Sequence, residues 1–428
     1  MGLYIGNVGV NFKLPETIKS GSKIYGVTFD GTNSQGVRLY DSVDYYWEPS
    51  STTYKGRDDF YDDVNSPFHT RRCLLKWNED NEKFDSIFED TNPTEYNSHL
   101  SDNDYIRMIA FPKFYFKRPN KWTFLVSSDP IPGFTISPMH YRNGVEDDYC
   151  YIAEYMIGGD STARQISCPN VAPLTSRRMG DINTNGTFRK IAHNQHLYIQ
   201  DYACRMMVCF LYLVKTANLN SQLTVGNGCS GGEELHNMND TGDSIKGQDG
   251  YRGTNIYDNT NIKCMGLVDY WGNAWEFIEG AASWCDASAN NTLYYTNDPN
   301  KFTKYPTTLD EANSLGWELV GDLMLSGHNT SYNYFNEFKY EENHPFSLSP
   351  GGTYTSTDPN LTGDGFWQNY YRYTNQFIVL FCGGYAWGGS RDGLFCWDSY
   401  AVLSIASVNC GARAFVPGSS VLSPAALP

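Results

Sequence analysis

The chain has 428 residues, enough for two or three domains, with 32 Lys and Arg against 48 Asp and Glu and a formal net charge of −16. That balance argues against a nucleic-acid binder, which needs a positive face to displace counterions, and against docking on an anionic membrane. Aromatic residues are in excess: 32 Tyr, 23 Phe and 10 Trp make 15% of the chain, which excludes disorder over most of its length and suits folded domains that contact something.

The first residues, MGLYIGNVGVNFKLPETIKSG, lack a basic segment followed by an apolar one, so no signal peptide is expected, and 1–21 reads as an arm ordered by a partner. The longest apolar stretch, Ala203 to Val214, is short and contains Arg205, so no membrane insertion is expected. Eleven scattered Cys without a CxxC point away from a disulfide framework or a Cys₄ zinc site and towards folding in a reducing cytoplasm. From Ser22 to about Leu100 comes strand-like material, interrupted by Asp58–Asp63. Those clustered carboxylates could ligate calcium but read more simply as a solvated loop.

Two β-rich runs, Ile109–Lys117 and Trp122–Val126, predict a hairpin, and Tyr151–Tyr155 a further strand. A helix is expected from about Gln195 to Leu219, where Ile199, Ala203, Met206, Phe210, Leu213 and Ala217 recur on one face as core. His193 and His196 stand at a metal-compatible spacing with no third ligand in view, so no metal and no cofactor is assigned. Gly226–Gly232 follows that helix instead of opening one, which predicts a surface loop and not a phosphate cradle. Asn237–Gly242 with Gln248 echoes a calcium loop without its key carboxylates. Thr308 and Glu311 form a capping-box pattern, and Phe377–Phe381 is expected to be the last apolar strand.

Two segments carry a resemblance. Gly266-Leu-Val-Asp-Tyr-Trp-Gly-Asn-Ala-Trp-Glu-Phe277 resembles the GNVWEW signature of the formylglycine-generating-enzyme branch of the C-type-lectin fold. Gly272-Asn273 suits a tight turn, Trp275 and Phe277 would alternate inward on the next strand, and Glu276 would need buried partners or an exposed face. The second segment, Phe381 to Asp398 running on through Val408-Asn-Cys-Gly-Ala-Arg-Ala-Phe415, is similar to the C-terminal variable region of retroelement-diversified phage receptor-binding proteins, the major-tropism-determinant class. Shorter pieces agree with a gut-phage tail branch: Phe111–Phe116, Pro132–Phe134, Leu211–Val214 and Gly226–Gly228.

The resemblance implies an α+β protein: an arm at 1–21, a small β-rich domain at 22–103, and a C-type-lectin-type domain at 104–428 with its variable region at about 381–413. Gly383, Gly384, Gly389, Gly393 and Gly411 would make turns, Leu394, Phe395 and Trp397 would fill core, and Arg413 would anchor a buried acceptor. Between them stand Tyr385, Trp387, Gly388, Ser390, Arg391, Asp392, Asp398, Tyr400, Ala401, Val402, Ile405 and Ser407, which share no chemistry and no period. In the family such positions are rewritten at adenines, mostly of Asn codons. Those codons reach every residue of this set except Trp, so Trp387 comes from another codon, such as AGG, or is fixed. Cys396 is either variable or a small buried hydrophobe.

The function implied is that of a bacteriophage or prophage tail adhesin, made in the bacterial cytoplasm and carried at the virion tail tip. Its partners would be a bacterial cell-surface protein or glycan, other tail proteins and two further copies in a homotrimer. An oxidase like the formylglycine-generating enzymes is the rival, and a structural tail component without a ligand is a third reading. Copper(I) chemistry requires two converging thiolates, whereas Cys382, Cys396 and Cys410 are 14 residues apart in sequence. The protein is therefore expected not to be an enzyme.

Overall fold

The computed structural model describes residues 3–5, 8–10, 21–51, 56–159, 166–231, 234–238, 251–252, 261–287, 291–323, 333–355, 367–370, 375–389, 392–402 and 404–422. The expected arm at 1–21 lies largely outside them. β1 (Tyr25–Thr28) and β2 (Val37–Tyr40) form a hairpin whose connection is set by Asx turns, with Thr32 N–H donating to Asp30 at 2.8 Å and Gln35 N–H to Asn33 at 2.9 Å. The acidic run folds into the short α1 (Asp59–Asp62). Asp58 caps it and pairs with Lys215, Asp59 binds Arg57, and Asp63 accepts from Lys23, Tyr25 and Tyr45. Asp58, Asp59 and Asp63 are thus engaged in a cap and in ion pairs.

β3 (Arg71–Asn78) and β4 (Lys83–Phe88) pair with each other, and β5 (Ile106–Pro112), β6 (Tyr115–Asn120), β7 (Thr123–Ser127), β8 (Thr135–Ile136) and β9 (Tyr149–Ala153) come after them. Only the second half of the expected 109–126 hairpin forms, as β6 with β7. The run breaks after Pro112 because Lys113 N–H turns away to Asp148 O at 2.8 Å, and β5 joins β3 and β9 in another sheet. Next come α2 (Phe188–His193), β10 (Tyr198–Ile199), α3 (Tyr202–Thr216) and α4 (Ser221–Thr224). The main helix starts seven residues later than expected because Asp201 caps it, accepting from Cys204 N–H at 2.9 Å; Ala217, at φ 52°, closes it. Every residue of α3 is buried, Arg205 and Lys215 included, so the stripe read from the sequence is one side of a helix that is core all round.

β11 (Trp275–Cys285), β12 (Asn291–Tyr295), α5 (Leu309–Ser314), β13 (Glu318–Leu323), β14 (Asn333–Phe338), β15 (Pro350–Thr355) and β16 (Trp367–Tyr370) precede β17 (Gln376–Gly383). The cap of α5 is half a capping box: Thr308 accepts from Glu311 N–H at 3.1 Å, but the Glu311 carboxylate turns to Thr307 and Lys304. β17 contains Phe377–Phe381 and is not the last apolar strand. The Gly-rich continuation supplies β18 (Gly393–Val402), β19 (Cys410–Gly411) and β20 (Ala414–Pro417), all buried where their side chains are described except half-buried Val402.

Three large sheets result, so the protein is a mixed one in which strands dominate and helices are few, compatible with the α+β class. The first has the order β8-β6-β7-β1-β2 and the second β10-β20-β9-β5-β3-β4. The third runs β13-β12-β11-β17-β18-β16-β14-β15, with β19 beside β11. α3 packs against β1 and β7 of the first sheet and β11 of the third. Sheet hydrogen bonds cross the boundary expected near residue 103, since β1 pairs with β7 and β3 with β5. One apolar cluster runs from Tyr25 through α3 to Phe415, so residues 22–103 share their core with the C-terminal part of the chain. Among the described residues no helix is long and apolar enough to cross a membrane.

Candidate ligand-binding face

The site rests on the turn before β11. Gly272 has φ +93°, and a Cβ there would lie 2.3 Å from Asn227 O; a Cβ at Gly228 would lie 2.5 Å from Trp271 O. The two segments meet backbone to backbone, and Trp271 Nε1 donates to Gly226 O at 2.8 Å. Residues 225–230 are buried by this contact, which corrects the expectation of a surface loop. Asn273 donates to Asp269 and to His236 O, each at 2.9 Å, while its own oxygen accepts from His236 N–H at 3.0 Å. Asp269 also accepts from Asn261 at 2.6 Å and from Ile262 N–H at 3.2 Å; burial pushes its carboxyl up to about 6 despite these donors.

Trp275 and Phe277 are buried on β11, and between them Glu276 meets Arg413 at 2.7 Å, both inaccessible to solvent. Arg413 further donates to the carbonyls of Ala153, Glu154 and Val268 at 2.8–2.9 Å. The guanidinium thus ties β9, the segment before the turn and β11 to the link between β19 and β20 that carries Arg413 itself.

From this base the chain leaves β17 through Gly383 and Gly384, at φ +93° and +82°, into the loop 384–392, of which residues 384–389 and 392 are described. Side chains from elsewhere hold the loop's main chain. Gln222 Nε2 donates to Gly389 O at 2.9 Å and to Asp392 O at 2.6 Å, and Ser221 Oγ accepts from Leu394 N–H at 2.9 Å. Gly389 N–H donates to Ser230 O at 3.0 Å. Beneath the loop lies the buried Asp392 carboxylate; a Cβ at Gly384 or Gly388 would fall 2.0 or 1.8 Å from its Oδ1. Above it the aromatic rings step outward. Trp275, 5% exposed, stacks on half-buried Tyr385 at 5.9 Å and 21°, and Tyr385 meets Trp387, 39% exposed, edge-on at 5.8 Å.

Of the residues expected on the face, Tyr385 and Trp387 reach the surface together. Gly388 and Asp392 are buried beneath the loop, which corrects their expected exposure: the loop closes over the carboxylate, and only glycine leaves it room. Asp398 and Ala401 are buried as well, because β18 is an inner strand flanked by β17 and β16. Val402 is half-buried at the strand's end, and Ile405 is half-buried against the core. Ser407 is half-buried and structural: its carbonyl accepts from Ser176 N–H at 2.8 Å and its Oγ from Asn409 N–H at 3.2 Å. Ser390, Arg391 and the Tyr400 side chain lie outside the described residues.

Cys382, Cys396 and Cys410 are buried, and burial pushes all three thiols up. His193 is exposed, and His196 stacks flat on Trp77 at 3.6 Å. Among the described residues no group of three or more His, Cys, Asp or Glu is placed to hold a metal ion. Most of the 237–242 segment and Gln248 lie outside those residues. Sequence reasoning missed Ser221 and Gln222. Asn220 as a cap, accepting from Leu223 N–H at 2.9 Å, was a readable signal for α4, but the partner of Gln222 lies 170 residues away. No family model and no curated protein matches the chain.

Proposed function

We propose that this protein is a bacteriophage or prophage tail adhesin that binds a bacterial surface protein or glycan, without covalent chemistry, through the loop 384–392 on a C-type-lectin-type scaffold. The observation that carries the reading is the ring series Trp275, Tyr385 and Trp387, which rises from the core to solvent on a loop whose main chain is fixed by residues outside it. Such an arrangement presents rigid aromatic area at low entropic cost, and side chains can change without rebuilding the support. The GNAWEF turn and the burial of Glu276 against Arg413 support the scaffold assignment. The face is smaller than the variable stretch in the sequence, because four of its twelve candidates are buried.

A single small face binds weakly, and a homotrimer carried in several copies per virion would raise avidity by roughly 10²–10⁴. Binding of the purified protein to fractionated bacterial surfaces tests the reading. Trp387→Ala is expected to lower retention at least about tenfold, the loss of one exposed aromatic anchor. Unchanged retention would place the site elsewhere. A measured oxidase activity would favour the rival assignment.

A further inference from the structure

Cys150 is the second residue of β9, which lies between β5 and β20, and Cys204 is the third residue of α3. Both are buried, and their sulfurs are 3.5 Å apart. A disulfide bond measures about 2.05 Å, so the two sulfurs must close by about 1.5 Å to bond. Among the described residues no other two cysteine sulfurs are in hydrogen-bond range. The approach is built into the fold, since one sulfur is fixed by an inner strand and the other by the capped first turn of a helix.

The surroundings distinguish the two thiols. Arg142 Nη2 lies 3.3 Å from Cys204 Sγ, and the guanidinium is held there by Asp201 and Asn297. Burial, the contact with Cys150 and the Asp201 carboxylate work the other way and push the Cys204 thiol up. A charged donor beside one of two touching thiols is the arrangement in which that sulfur reacts first and the other resolves it.

We infer that Cys150 and Cys204 form a modification site, a dithiol that a hydroperoxide converts to a disulfide joining β9 to α3. The Cys204 sulfur, losing its proton as the site opens, attacks one peroxide oxygen. The S–O bond forms, the O–O bond breaks, and the departing oxygen leaves as water. The Cys150 sulfur then displaces the hydroxyl of the Cys204 sulfenic acid, and the S–S bond forms with release of a second water. Two thiols have lost two electrons and two protons, and one hydrogen peroxide has become two waters. Burial makes the reaction depend on local opening, so it is slow but selective.

The test uses the whole native protein in hydrogen peroxide, at a dose that oxidises the partly exposed Cys168. The sample is then denatured, alkylated, digested without reductant and analysed by mass spectrometry. The expected product is a cross-linked pair of peptides holding Cys150 and Cys204, about 2 Da below their summed mass and released by reductant. In Cys150→Ser the reaction is expected to stop at a Cys204 sulfenic acid trapped by dimedone. Recovery of both residues as alkylated thiols, with Cys168 oxidised, would overturn the inference, as would a bond from either to a different cysteine. The wild-type experiment needs no variant to fold, and it is independent of the adhesin reading.

Discussion

Trp387 and Tyr385 differ in what lies behind them, and their substitutions separate binding from stability. Trp387 meets Tyr385 edge-on and is exposed, so Trp387→Ala should change unfolding free energy by less than about 0.5 kcal/mol while it removes the contact area. Tyr385 also stacks on Trp275, so Tyr385→Ala should lose about 1 kcal/mol, measured by chemical denaturation. Asp269 offers a second test at this scale. Its carboxyl is held near 6 in the folded protein against an ordinary 3.8, so the folded state keeps the proton more tightly. Its contribution to stability is complete below about pH 4 and lost as pH rises through 6, a change on the order of 3 kcal/mol. Wild type should therefore lose stability relative to Asp269→Asn between pH 4 and 6 and run parallel to it above pH 7. Parallel curves throughout would show that the carboxyl titrates normally.

Gly384, Gly388 and Asp392 act as one unit because Asp392 fills the space that side chains at 384 and 388 would need. Gly388→Ala should cost more than about 2 kcal/mol through overpacking and loss of the loop conformation. Asp392→Ala in the same chain should recover much of that loss, and a double-mutant cycle measures the coupling. Gln222→Ala, which frees two loop carbonyls, should cost about 1–2 kcal/mol and weaken adsorption while the rest of the fold persists. This coupling marks the limit of what the sequence discloses. Glu276 and Arg413 each announced a need for a buried partner, because an isolated charge in a strand of apolar residues demands one. The turn at Gly272 was legible for a similar reason. The closure over Asp392 was not, since Gly388 and Asp392 read locally as ordinary turn residues. Nor was the split of β5 from β6, which depends on Asp148 outside the run.

At the scale of the whole molecule, sheets that cross residue 103 make the N-terminal quarter part of the fold. A 104–428 fragment would expose β7 where β1 belongs and β5 where β3 belongs, together with their share of the common core. It should lack cooperative thermal unfolding and bind a hydrophobic dye, whereas an independently folding fragment would restore the expected boundary. The negative charge and the aromatic excess belong to this scale too. Among the described residues, buried rings such as Trp271, Phe277 and Phe395 account for much of the excess as core, and Trp387 is among the few aromatics that are exposed.

The position of β20 has a consequence for how the chain is made. It lies between β9 and β10, strands encoded more than 200 residues earlier, and the whole third sheet is synthesised in between. Until β20 emerges, the second sheet waits on the ribosome with an unfilled slot and an unpaired edge along β9, the kind of edge that recruits foreign strands. Closure is therefore a late, long-range event, slow by its topology, and the nascent protein would depend on chaperones or on rapid completion of translation to reach its native pairing.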